Sequence, residues 1–377
     1  GDSRPSSSRM HIPDGYLSPS TCAVMYASAA PFWVVAFRRL RDRLSAQFIP
    51  LLSFFSAFSF VIMMFNIPLP GGTTGHAVGM GIGAIVLGPW GSMIAISVAL
   101  LIQALFFGDG GITAYGANSF NMAIVGSIAS FWVYRLISSR SPIDSPRHVV
   151  AAFVAGYAAI NVSALCAAIQ FGVQPALFRD ATGAPLYAPY PLGIAVPAML
   201  IGHLTFAGLA EGMLSAGMVA YLQRANPRLL AATAAGALSG GTPGPAPGES
   251  VWTALRPLWI SLALVMILTP LGLLAAGTAW GEWSVTDLSD PEMRAQISAA
   301  SQHVEPPLTP PRGLERFASV WTAPFPDYAP SFLKSAAFGY ILSAMMGVGL
   351  ILASCLLAGA LFRRFAHSAP SEKGFDS

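Results

Sequence analysis

The sequence predicts an all-α polytopic membrane protein with about nine transmembrane helices, and three observations predict it. Of the 377 residues, 54% are hydrophobic and only 10% are charged, where a soluble globular chain carries about 25% charged residues. The mean hydropathy is +0.60. The apolar residues fall in continuous runs near the roughly 20 residues that a helix needs to span a bilayer, without the alternation of a membrane strand. A net charge of +3 is too small to indicate a nucleic-acid partner. Cys22, Cys166 and Cys355 lie far apart in or beside apolar runs, with no CxxC spacing. They read as small buried residues and not as a disulfide framework or a zinc cluster.

Gly1–Arg9 is polar and Ser-rich with no apolar stretch, so it is no signal peptide; it reads as a processed or foreign leader. Met10 to Pro19 follows, with Ile12-Pro13-Asp14-Gly15 as a tight turn. That turn holds His11 close to the bilayer surface. Helices are expected at about 20–37, 47–66, 75–88, 91–107, 118–137, 148–171, 191–223, 257–278 and 335–362. Gly88-Pro89-Trp90-Gly91 alone divides the third from the fourth, and the seventh carries Pro197. Ser239 to Gly248 is rich in Gly and Pro and reads as a flexible linker. It divides a membrane domain, 10–235, from a two-helix unit, 257–377, with the linker at 236–256. The second unit has a large polar loop between its helices, in which Trp280, Trp283 and Trp321 read as an interfacial aromatic belt.

Loop charges orient the stack. Arg38, Arg39, Arg41 and Arg43 follow the first helix, and Arg135, Arg140 and Arg147 follow the fifth. Arg224, Arg228 and Arg256 flank the loop after the seventh, and Arg363, Arg364 and Lys373 lie at the end. By the positive-inside rule these loops are cytoplasmic, which puts the N-terminus outside and the C-terminus inside.

That topology places His11 and His76 on one outer face. His76 ends Asn66-Ile-Pro-Leu-Pro-Gly-Gly-Thr-Thr-Gly-His76, a stiff bend followed by flexible glycines. It is expected at a helix start, where exposed amides disfavour a cationic ring and leave the neutral form that binds metal. Two such histidines read either as interfacial and helix-capping polar residues or as metal ligands. Asp14, Asp109, Asn118 and Asn121 are short polar groups suited to hydrogen-bond ligating imidazoles, or to form turns and caps. His203 and Glu211, eight apart in the seventh helix, are expected to face the bundle interior, as a functional pair or a packing pair. Ala23 and Ala27, with Ala30 nearby, give the first helix small-xxx-small spacing for close approach of a partner helix. Gly79, Gly81 and Gly83 read as helix packing. No G-x-x-x-x-G-K-[ST] is present, so the chain hydrolyses no ATP by that route.

Met10-His-Ile-Pro-Asp-Gly-Tyr-Leu-Ser-Pro, Pro-Leu-Pro-Gly-Gly-Thr-Thr-Gly-His76, Phe-Gly-Asp109-Gly-Gly and Gly-Ala-Asn118-Ser-Phe-Asn121-Met-Ala resemble the CbiM/NikM family. These are substrate-binding membrane components of energy-coupling-factor cobalt and nickel transporters. The resemblance runs from Met10 to about Leu230. It implies a seven-helix unit with its N-terminus outside, an ion held by the Met10 amine, the His11 backbone nitrogen and the rings of His11 and His76, and no cofactor. Four nitrogens suit a square-planar ion such as Ni(II). In the family the methionine carries a free amine; here Arg9 precedes Met10. Thr269 to Trp283, Arg312-Gly-Leu-Glu315 and Pro326-Asp-Tyr-Ala-Pro330 resemble the small accessory component, NikN-like, of these transporters, although Arg312 stands where that component has Asp. This second resemblance inclines the cargo toward Ni²⁺ over Co²⁺. The implied partners are a transmembrane coupling subunit and ATPase subunits. Two other readings remain: an intramembrane metalloenzyme, for which no HExxH is present, and a non-binding assembly subunit. His303 reads as a solvated loop residue.

Overall fold

The computed structural model describes residues 10–41, 48–234, 255–275, 277–330 and 332–367. The expected leader, Arg43 and nearly all of the 236–256 linker lie outside the described residues. Among those described, seven helices are long and apolar enough to cross a membrane. They are α1 (Pro19–Arg41), α3 (Met80–Phe107), α4 (Tyr115–Ser138), α5 (Pro146–Leu177), α6 (Leu192–Ala225), α7 (Arg256–Leu274) and α8 (Ala336–Leu361). Between α1 and α3 lies α2, the shorter Phe48–Met63.

α2 is apolar all round and buried along nearly its whole length, as a central helix must be. α3 covers one side of it and α8 another. Phe60 and Ile49 of α2 press so close to α8 that a Cβ on Gly347 or Gly359 would overlap them. The C-terminal unit is thus packed into the same core as the rest.

α3 is not one straight rod. At Gly88 the backbone takes φ 74°, ψ 171°, a conformation that favours glycine. A Cβ on Gly83 would lie 2.9 Å from Ser92 Oγ. Nine residues of straight helix would separate these positions by about 13 Å, so the two arms fold back on each other at the Gly-Pro step. Ser127 of α4 bonds Ser92 at 2.8 Å, and Ser130, one turn on, bonds Gly81 O at 3.3 Å. The predicted third and fourth helices are these two arms.

The first arm starts at Met80, later than expected, because residues 67–75 form a hairpin instead. Ile67–Leu69 pairs antiparallel with Thr73–Gly75, Ile67 opposite Gly75. Gly71 and Gly72 turn the chain at φ 85° and 77°. His76 therefore lies in the extended link between hairpin and helix and not at a helix N-terminus. The exposed amides of that N-terminus go to Glu211 of α6. Its Oε2 accepts from Val78 N at 2.7 Å and Gly79 N at 2.9 Å, and its Oε1 accepts from Gly81 N at 2.9 Å. Gly81 itself sits against Ser215 and Gly156 with no room for a side chain, which supports the packing role expected of it.

His203 and Glu211 do not pair. A π turn, His203–Ala207, intervenes and shifts the helix face. His203 Nδ1 bonds Met199 O at 2.8 Å while Glu211 turns toward α3.

The loop of the second unit folds over the N-terminal motif. Short helices Val285–Ser289 and Pro291–Ala300 are capped by Ser284 and Asp290. Trp280 and Trp283 are buried with Tyr16, Phe171 and Tyr190, their own rings 5.4 Å apart. They form a second core, not the expected aromatic belt; Trp321 alone of the three is exposed, at 45%. Gly15, at φ 82°, meets Gly313 and Leu314 at a distance that excludes a Cβ. His303 is exposed, as expected of a loop residue.

Glu211→Ala would leave three buried amides without an acceptor, each costing about 1–3 kcal/mol. The expected outcome is a fall of many degrees in the melting temperature of the detergent-solubilised protein. An unchanged transition would show that the α3 N-terminus does not depend on this carboxyl.

Candidate metal centre

Residues 10–17 are all buried, and the loop after α3 holds them there. A π turn, Gln103–Phe107, ends α3, and Gly108-Asp109-Gly110-Gly111 follows. A Cβ on Gly110 would lie 2.9 Å from His11 Cβ, and one on Gly111 would overlap Asp14 N. Only glycines allow the two segments to lie side by side, joined by Gly111 N donating to Ile12 O at 2.8 Å.

Asp109 is the centre of the arrangement. Its Oδ1 accepts from Met10 N at 2.8 Å and lies 3.0 Å from His11 Nδ1; its Oδ2 accepts from Tyr328 Oη at 2.8 Å. Burial alone would raise the carboxyl's pKa. The neighbouring His11 and the bonds from His11, Met10 and Tyr328 outweigh it and hold the group below the usual carboxylate range. With Nδ1 turned to the carboxylate, Nε2 is the ring nitrogen left to offer a lone pair when the imidazole is neutral. Nε2 is buried and has no hydrogen-bond partner. An imidazole with one nitrogen donating to a carboxylate and the other open is arranged as metal-ligating histidines are.

The His76 ring stands 5.1 Å from that of His11, centroid to centroid, at 65°. Its nitrogens lie 3.1 Å from Ala77 O and 3.3 Å from Met10 O. A neutral ring has one hydrogen for these two carbonyls. Burial, and next the proximity of His11, lower its pKa from 6.5 to about 4, so it is neutral at pH 7. Both rings, with Met10, His203, Trp280 and Glu282, border a cavity of about 80 Å³, room for an ion and a water or two at roughly 30 Å³ each.

The other expected polar groups have different partners. Asn118 bonds both the N–H and the C=O of Ile12, at 3.1 Å each, and so fixes the backbone beside His11. Asn121 exchanges two bonds with Gln170, at 2.9 and 2.7 Å, and lines the cavity beside the imidazoles. Asp14 accepts from Ile112 N at 3.2 Å and Thr113 N at 2.7 Å; it pins the turn after the glycines and does not reach the rings. Ala23, Ala27 and Ala30 are exposed on α1, away from this site. Tyr328, Trp280 and Glu282 come from the second unit and were not expected at the site. The Pro326-Asp-Tyr-Ala-Pro330 stretch and the polar Gln103 at the end of an apolar run were the available signals.

These features define a multi-pass membrane protein with a buried, nitrogen-lined site. Residues 11–229 match the CbiM model, described as the cobalt uptake substrate-specific transmembrane region, and residues 256–364 match the PDGLE domain. The chain is 54% identical over 352 residues to the fused nickel transport protein NikMN of Rhodobacter capsulatus, covering 93% of this chain and 98% of that one. It is 40% identical over 342 residues to the probable fused nickel transport protein LarMN of Lactiplantibacillus plantarum, covering 90% and 94%. A crystal structure of a transition metal transporter, 48% identical, superposes with a TM-score of 0.54 over 57% of this chain and 93% of that one. The chain belongs to the CbiM family of nickel and cobalt transport membrane proteins, in fusion with a PDGLE domain. It is a multi-pass prokaryotic membrane protein, and these relatives are named as metal transport proteins, not enzymes.

The sign of one pH effect follows from His76. Its pKa is near 4 in the folded chain against 6.5 ordinarily, so the unfolded state takes up the proton first as pH falls. Its neutral form is fully compatible with the fold above about pH 6.5, and stability is lost between there and about pH 4. The melting temperature of the metal-free protein should fall across that window, and fall less in His76→Gln. Equal losses would assign the acid sensitivity to other groups.

Proposed function

We propose that this chain is the substrate-binding membrane component of an energy-coupling-factor ABC transporter and captures Ni²⁺ or Co²⁺ at the outer face for ATP-driven uptake. The observation that carries this reading is the pair of buried imidazoles 5.1 Å apart, with His11 Nε2 open, in a cavity that Met10 also lines. Nitrogen donors suit both ions; the fused relatives named for nickel favour Ni²⁺. The ligand set is the Met10 amine, the His11 backbone nitrogen and the rings of His11 and His76. Asp109 holds the His11 ring, Asn118 holds the backbone next to it, and Asp14 and Asn121 support the surrounding turns and helices.

Residues 10–235 form the capturing unit and 257–377 the accessory unit, joined on the cytoplasmic side by 236–256. The basic loops favour a chain of nine crossings with its N-terminus outside. Energy comes from a transmembrane coupling subunit and ATPase subunits. The exposed small residues Ala23, Ala27 and Ala30 make α1 the face for the coupling subunit, since small side chains let helices approach closely.

Isothermal titration with Ni²⁺ tests the reading on two forms of the chain, one beginning at Met10 and one carrying Gly1–Arg9. Tight binding is expected in the first alone, and His11→Ala and His76→Ala should each abolish it. Equal binding in both forms would remove the amine from the ligand set. No binding in either would overturn capture and leave the assembly role.

A further inference from the structure

Tyr328 belongs to the C-terminal unit, yet its hydroxyl donates to Asp109 Oδ2 at 2.8 Å. The same hydroxyl accepts from Gln103 Nε2 at 2.9 Å, at the first residue of the π turn that leads into the Asp109 loop. The other Asp109 oxygen holds Met10 N and His11 Nδ1. A hydrogen-bonded chain therefore runs from Gln103 through Tyr328 and Asp109 to His11. Every member is buried, with exposures of 0%, 0%, 2% and 2% in that order.

The ring and the hydroxyl of Tyr328 do different work. The ring stacks on Phe107 at 4.8 Å and meets Tyr340 and Phe60 edge-on at 5.5 and 6.2 Å. A phenylalanine would fill that space equally well. The hydroxyl adds nothing to the packing, and burying one is costly unless it is bonded. Its two partners are Asp109 and Gln103.

The backbone is held so that the hydroxyl reaches them. Asp327 and Tyr328 both have left-handed φ, 57° and 56°, which residues with a Cβ adopt only at a cost. Anchors on either side maintain it. Ser343 of α8 donates to Tyr328 O at 3.0 Å, and Phe325 N donates to Phe106 O at 2.9 Å. With Oδ2 bonded to Tyr328, the Asp109 carboxylate cannot rotate, so Oδ1 stays where Met10 N and His11 Nδ1 converge.

We propose that Tyr328 is a positioning residue for ion capture, through which the PDGLE unit sets the orientation of His11 by way of Asp109. The capture site is then complete only when the two units are docked on each other. This rests on the reading of His11 as a ligand.

The test uses the full two-unit chain beginning at Met10, titrated with Ni²⁺. Tyr328→Phe should weaken binding by roughly tenfold to a hundredfold, the usual effect of losing a group that supports a metal ligand from behind. Losing the hydroxyl also unpairs Asp109 Oδ2 and Gln103 Nε2, so the metal-free melting temperature should fall somewhat, and affinities are compared at a temperature where both chains are fully folded. Asp109→Asn supplies the readout that a packing role would not move. If Tyr328 acts through Asp109, adding Tyr328→Phe to Asp109→Asn should weaken binding less than about threefold further, since the two losses are not independent. Unchanged affinity in Tyr328→Phe, or full multiplication of the two losses, overturns the proposal. Absence of Ni²⁺ binding by the unsubstituted chain overturns the capture reading itself and this proposal with it.

Discussion

The site depends on one buried carboxylate. An ionised group taken out of water must be compensated by donors around it, and Asp109 collects three, from Met10, His11 and Tyr328. Those three come from opposite ends of the fold's sequence, while Asp109 follows a membrane helix in between. The requirement to satisfy one charge thus fixes the relative position of three segments that no local preference would bring together. The glycines beside Asp109 make the arrangement possible, because side chains at 110 and 111 would occupy the space of His11 and Asp14.

A second buried carboxyl governs the other imidazole at one remove. Glu211 gathers the amides of residues 78, 79 and 81, and so sets where the extended link carrying His76 must run. Each ring therefore has its own acidic anchor. Asp109 bonds its histidine directly, and Glu211 holds the backbone two residues beyond. The hairpin at 67–75 fixes the other end of the link, and Thr74 N donates to Thr278 O of the second unit at 3.1 Å. Both rings are thereby tied to the C-terminal unit as well as to the membrane helices.

The helices were legible because continuous apolar runs of spanning length rarely form anything but membrane helices, and the break at Gly88-Pro89 was legible from its residue types. The glycines of the Asp109 loop and the histidines fixed by Pro/Gly turns were legible for the same local reason. What local pattern does not carry is the partner of a side chain. Glu211 and His203 share a face at ideal helical spacing, and a π turn removed that spacing. Apolar and aromatic residues read alike whether lipid or protein covers them, so sequence alone does not separate the buried Trp280 and Trp283 from an interfacial belt. The start of α3 moved from residue 75 to Met80 because strand pairing took residues 73–75 first. Tyr328 is an ordinary tyrosine in sequence, and its hydroxyl gains meaning only from residues more than two hundred positions away.

The burial of Gly15 beneath Gly313 and Leu314, with Tyr16 under Trp280 and Trp283, bears on biosynthesis. Chains emerge from the ribosome N-terminus first, and domains generally fold as they emerge. Here the decapeptide from Met10, made before the seven spanning helices described above, is roofed by residues from the last third of the chain. It cannot complete its packing until that roof has been synthesised. Assembly thus ends on a segment that translation delivered early.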